Sequence, residues 1–105
     1  MGLTKHELYP KEHNDLANLI KAIGHPARLS ILQYLTHHVM ASEKEIAAHV
    51  GLSQPSISRH LNLLIQREMV ESRYFGKVIG YSLVTPKFRQ ARRRMQKEIF
   101  EKMLD

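Results

Sequence analysis

Leu52-Ser53-Gln54-Pro55-Ser56-Ile57-Ser58-Arg59-His60-Leu61-Asn62-Leu63-Leu64 is the stretch on which the fold turns. Ser53 stands where a side chain caps the free N–H groups of a helix, and Pro55 in the first turn forfeits no helical hydrogen bond. Ile57, Leu61, Leu64 and Ile65 then recur at helical spacing as one apolar stripe, with Ser56, Arg59, Asn62 and Gln66 on the other side. An ordinary surface helix carries Glu/Lys pairs on its outer face. This one carries small hydrogen-bonding groups and a single arginine over its first two turns, a surface suited to entering a groove and reading edges.

Immediately upstream, Ser42 and Glu45 have the spacing of a capping box for a short helix through Ile46, Ala47 and Val50 that closes at Gly51. Gly51, Leu52 and Ser53 alone separate the two helices, so the pair reads as a helix-turn-helix. Further back, residues 1–10 read as a loose arm ended by Pro10. Leu16, Leu19, Ile20 and Ile23 mark an amphipathic helix over 13–23. Gly24 is expected to cap it in the left-handed conformation, and Pro26 to start a helix carrying Leu29, Ile31, Leu32 and Leu35 that frays near His37-His38.

After Met69 the period shifts from 3.6 toward 2. Residues 71–75 and 78–84 read as two strands reversing at Gly76-Lys77, a wing in which Tyr74 and Tyr81 are expected to pack against the sheet. Pro86 ends it, and a last helix over 86–104 carries Phe88, Ala91, Met95, Ile99 and Met103 at intervals of 3, 4, 4 and 4. The expected fold is mainly α with a β-hairpin wing, in the order α-α-α-α-β-β-α, as a single domain over 1–105.

A chain of 105 residues and 12.2 kDa can bury about two-thirds of its extended surface, enough for one core. It has no cysteine, which removes disulfides, thiolate metal sites and thiol switches. No apolar run approaches the ~20 residues of a membrane span, so no membrane association and a cytoplasmic location are expected. The formal net charge of +6 is unevenly placed. Residues 1–52 are balanced, 53–85 carry a net +2 and 86–105 a net +4. A basic second half favours a polyanionic partner, most commonly nucleic acid, and the helix-turn-helix makes double-stranded DNA the expected one. There is no Ser/His/Asp constellation, acid pair or Gly-rich phosphate loop, so an enzyme is not expected.

The segments Leu19-Ile20-Lys21-Ala22-Ile23-Gly24-His25-Pro26-Ala27-Arg28-Leu29-Ser30-Ile31-Leu32 and Ile46-Ala47-Ala48-His49-Val50-Gly51-Leu52-Ser53-Gln54-Pro55-Ser56-Ile57-Ser58-Arg59-His60-Leu61, followed by the hairpin, closely resemble the ArsR/SmtB family of bacterial repressors. The resemblance spans about residues 16–84. It implies a winged helix-turn-helix, a homodimer held by the first and last helices, and repression through a near-palindromic operator. Many such repressors sense metals, and here the sequence departs from the pattern. The positions matching the family's thiolate ligands are Ser42 and Lys44, which will not hold a soft metal. The family's second site uses histidine and carboxylate on the last helix, and residues 86–105 contain no histidine. No metal and no cofactor are therefore expected, and the sequence names no effector.

Within this frame Gln54, Ser56 and Arg59 project toward base edges or phosphates: Arg59 suits the O6/N7 edge of guanine and Gln54 suits adenine. Ser53 divides between capping and a phosphate contact, Ser58 belongs to the same contact set, and His60 lies at its flank. Arg73 and Lys77 of the wing suit a minor groove or phosphate ridge. Leu16, Leu19 and Ile20, with Phe88, Ala91, Met95, Ile99 and Met103, are the expected dimer interface. Arg92-Arg93-Arg94 either reach flanking DNA or are solvated. His37-His38 are adjacent and lack the i, i+4 spacing of a chelating pair, while His6 and His13 lie near the first helix. Two alternatives stand beside the repressor: a metal-responsive form with an unrecognised His/carboxylate site, and a winged-helix protein–protein module.

Overall fold

The computed structural model describes residue 2 and residues 7–104, and runs α1 (Lys11–Ile23), α2 (Pro26–Thr36), β1 (Ala41–Ser42), α3 (Glu43–Val50), α4 (Gln54–Gln66), β2 (Val70–Phe75), β3 (Val78–Leu83) and α5 (Thr85–Met95). A π-helical turn, Gln96–Phe100, and a closing turn, Glu101–Leu104, extend α5. Of the expected arm, residues 1 and 3–6 lie outside the described residues, as does His6. No helix among the described residues is long and apolar enough to cross a membrane.

The core gathers where α2, α3, α4 and the root of the wing meet. Ile31, Ile46, Ile57, Leu61, Leu64, Met69 and Val70 are its fully buried side chains. Three of them are the stripe of α4, so that helix is packed along its whole length. The Ser42–Glu45 capping box forms as the spacing requires. Ser42 Oγ accepts from the Glu45 N–H at 3.1 Å, and Glu45 Oε1 accepts from the Ser42 N–H at 3.0 Å. The Ser42 backbone N–H, and then its side chain, hold the Glu45 carboxyl below its ordinary pKa. Gly51 then closes α3 at φ 81, a left-handed position that admits glycine without a Cβ penalty.

Three local features differ from expectation. Gly24 has φ −81, so it is not a left-handed cap. A Cβ there would come to 3.0 Å from the Ile20 carbonyl oxygen, and glycine is needed for close approach to the last turn of α1. The α2–α3 connection contains β1, whose Ala41 and Ser42 pair with Tyr81 and Gly80, making an antiparallel sheet of order β1-β3-β2. Two residues are too few to show a period of 2. The last helix is interrupted by its π turn. An apolar stripe at intervals of 4 drifts around a regular helix of 3.6 residues per turn, and one wide turn restores Ile99 and Met103 to the side of Met95.

The wing is rooted in this core. Tyr81 is buried, and its hydroxyl donates to Glu43 Oε2 at 3.2 Å, joining β3 to the first turn of α3. Burial, and then the Glu43 carboxylate, push the Tyr81 phenol above its ordinary pKa. Tyr74 does not pack as expected. It is 76% exposed, because β2 leaves the core after Val70 and projects outward.

The end of α4 carries a strained residue. Glu68 has φ 60, its N–H donates to the Ile65 carbonyl at 2.9 Å, and the Met69 N–H donates to the Leu64 carbonyl at 2.9 Å. This is a Schellman arrangement with glutamate where glycine is usual. A left-handed L-residue costs about 1–2 kcal/mol, and the long Glu68–Lys87 pair at 3.8 Å, with its carboxylate exposed, returns little of it. Glu68→Gly is expected to raise the unfolding free energy by about 0.5–1 kcal/mol after the added chain entropy of glycine is subtracted. Urea unfolding measures it, and a destabilised variant would refute the strain.

Candidate nucleic-acid interface

At the start of α4, Ser53 caps the helix by accepting from the Ser56 N–H at 3.3 Å. Its hydroxyl also donates to Ser56 Oγ at 3.1 Å, and Arg59 Nη2 donates to the same oxygen at 3.2 Å. The three side chains, spaced three residues apart, thus form one chain along the outer side of the helix, with Ser56 half-buried at its centre and Arg59 exposed. Gln54 is exposed at the first turn and Ser58 is half-buried. Ser56 is therefore as much a holder of the Arg59 guanidinium as a free hydroxyl, a role that spacing alone did not reveal.

His60 is half-buried, its ring centroid 4.7 Å from that of His25. His25 is the N-cap of α2, with Nδ1 accepting from the Ala27 N–H at 3.1 Å. Arg28, one turn into α2, donates to the Lys21 carbonyl at 3.2 Å and so caps the end of α1. The Gly24-His25-Pro26-Ala27-Arg28 turn is thereby fixed from both sides and supports the flank of α4. Burial, and then the nearby His25, Arg28 and Arg59, lower the His60 pKa.

On the wing, Arg73 and Lys77 are both exposed, and Arg73 lies 3.7 Å from Glu71 in an exposed pair of little strength. Phe75 and Val78, which the sequence reading passed over, flank the turn and are exposed. Exposed apolar residues beside a Gly-Lys reversal were the available signal. Among the expected interface residues, Leu16, Leu19 and Ala91 are buried within the protomer where α1 meets α5, Ile20, Phe88, Met95 and Ile99 are half-buried, and Met103 is exposed. Arg94 donates to the Glu12 carbonyl at 3.0 Å and ties α5 to the first turn of α1, whereas Arg92 and Arg93 face outward.

Comparison with known proteins meets this geometry at the same residues. Residues 23–73 match a family profile described as a helix-turn-helix domain. The chain is 44% identical over 68 residues to the transcriptional repressor SdpR of Bacillus subtilis, covering 65% of this chain and 74% of that protein. The fold matches an ArsR-like transcriptional regulator from Rhodococcus sp. RHA1 with a TM-score of 0.74 at 26% identity, over 85% of this chain and 83% of that one. It matches NolR from Sinorhizobium fredii with a TM-score of 0.71 at 26% identity, over 91% and 94%. The chain belongs to the ArsR/SmtB family.

As an ArsR/SmtB protein it is a DNA-binding transcriptional repressor, with a regulatory rather than a catalytic role. Two residues stand where the resemblance places the family's thiolate ligands. Ser42 is engaged as the cap of α3, and Lys44 is an exposed cation. Among the described residues no group of three or more metal-ligating side chains comes together. His38 stacks on Tyr34 with ring centroids 3.9 Å apart, and His49 meets the same ring tilted, at 4.5 Å.

The lowered His60 pKa sets a pH dependence. The unfolded chain binds the proton first, so the contribution is unchanged above the ordinary histidine value of 6.5 and stability falls as pH drops through it, levelling off below the folded value. His60→Gln should flatten this part of the curve of unfolding free energy against pH. An unchanged slope in urea titrations between about pH 7.5 and 5, the range over which histidines titrate, would contradict the assignment.

Proposed function

We infer that the chain acts as a homodimer on a near-palindromic operator, seating α4 of each protomer in successive major grooves about 34 Å apart and excluding other proteins from the promoter. The observation that carries this is the outer side of α4. It offers Ser53, Gln54, Ser56 and Arg59, bears no carboxylate, and is fixed in rotation by the buried stripe behind it. In this role Arg59 takes guanine O6/N7, Gln54 takes adenine, and Ser53 and Ser58 meet phosphate. His60 braces the flank, and Arg73 and Lys77 neutralise phosphates beside the wing.

Shape supports the dimer. The radius of gyration is 16.0 Å, against about 13 Å for a compact chain near this length, and the extents are 49 × 38 × 24 Å. The far end of the last helix leaves Phe100, Met103 and Leu104 exposed. A second α5 is the apolar partner that such a face calls for. In that arrangement Leu16, Leu19 and Ala91 support the interface from within the protomer, while Ile20, Phe88, Met95, Ile99 and Met103 supply its surface. Release from DNA does not run through the family's thiolate site, since Ser42 and Lys44 stand in its place.

Footprinting on DNA upstream of the chain's own gene should reveal a protected near-palindrome, and no protection at moderate salt would refute the operator. Arg59→Ala is expected to cost about 1–3 kcal/mol and relax preference at one base, whereas Lys77→Ala weakens all sequences alike and lowers the salt slope by about 1. Replacing both Ile99 and Met103 by glutamate should give a folded monomer by analytical sedimentation, with DNA affinity falling in parallel. A double variant that remains dimeric would move the interface elsewhere.

A further inference from the structure

The tip of the wing presents an apolar surface that recognition by α4 leaves unused. Phe75 and Val78 face each other across the Gly76-Lys77 turn and are 58% and 57% exposed. Gly76 takes φ 60 in the first turn position, which keeps the reversal two residues long and the tip narrow. The Phe75 ring is not loose. Its Cε2 lies 3.4 Å from where a Cβ at position 80 would sit, an ordinary contact distance, so one edge of the ring rests over the strand at Gly80, beside the Met40 side chain that fills the space such a Cβ would take, while the remainder projects. By strand alternation Arg73 shares the face of Phe75, and Lys77 occupies the turn itself.

We propose that Phe75 and Val78 form a wedge that enters the minor groove beside each half-site and partly unstacks one base step, kinking the duplex. This rests on the DNA-binding function proposed above. Charge selects the occupant. An apolar tip flanked by two exposed cations matches a stack of base faces lying between two phosphate rails. The Arg73–Glu71 pair, long at 3.7 Å and exposed, yields readily to a phosphate. The wedge makes the protein sensitive to flexible pyrimidine–purine steps at positions that α4 never touches.

The test begins with duplexes selected from a random-sequence pool by the wild-type chain, then remade with 2-aminopurine replacing single adenines outside the α4 half-sites. Wild-type protein should raise the fluorescence several-fold at one step per half-site. Phe75→Ala should abolish the rise and weaken binding about tenfold with the salt slope unchanged, and Phe75→Leu should restore both. Lys77→Ala should do the reverse, lowering the salt slope and leaving the fluorescence intact. With more than half of its ring exposed, Phe75→Ala should melt with the wild type, and Val78→Ala provides a second variant with a smaller loss of fluorescence. Binding of the selected duplex with no fluorescence change, or with the same change in Phe75→Ala, would overturn the wedge while DNA binding stood. A change in sedimentation of the free Phe75→Ala chain would overturn it in favour of a contact between copies. A pool that yields no bound duplex would remove the DNA-binding function and the wedge with it.

Discussion

The rotational setting of α4 is the constraint on which the rest depends. Ile57, Leu61 and Leu64 have no exposed surface, so the helix cannot turn about its axis without opening the core. At about 100° per residue, Arg59 lies roughly 160° around the helix from Ile57, and Ser56 and His60 fall on one flank. One burial decision therefore sets three things: an exposed guanidinium, a half-buried hydroxyl that holds it, and a half-buried imidazole that braces the helix. Polar groups gain direction here because apolar ones leave no alternative.

What surrounds α4 serves mainly to keep that setting. The Ser42–Glu45 box starts α3, Gly51 ends it, and Ser53 starts α4, so the turn between the helices is capped at each end. His25 and Arg28 do the same for the α1–α2 turn, which meets α4 through the His25–His60 contact. Glu68 ends α4 at the expense of left-handed strain and sends the chain into the core at Met69 and Val70. A glutamate retained at a position that favours glycine places the strain between the recognition helix and the wing, where direction of the chain matters most.

The helical part of the fold was legible because its signals are dense. Three to five apolar positions per helix and caps drawn from Ser, Gly and Pro left little freedom, and the α4 stripe, the capping box and the two-residue wing turn appear in the structure at the residues that the sequence marks. Where the sequence misled, the signal was short or ambiguous. Two residues of β1 cannot show alternation, and Gly24 looks the same whether it serves backbone conformation or close approach. Tyr74 follows the strand period yet lies past the point where β2 leaves the core. Leu16, Leu19 and Ala91 illustrate a general ambiguity, since an amphipathic stripe states that a face is buried and not whether the protomer or a partner buries it.

Charge and shape divide the work of recognition between separate elements. In the complex proposed above, the exposed side of α4 carries little positive charge beyond Arg59, so its part would be selectivity with a small electrostatic share. Arg73, Lys77 and the outward cations of α5 are set away from the base-reading residues, on elements that a sequence-independent backbone can meet in any register. Concentrating cations on α4 would have strengthened binding to every duplex equally and narrowed the margin between operator and competitor DNA. In the complex proposed above, an outer face kept small and rigid would let a single arginine, held by Ser56, account for much of the discrimination.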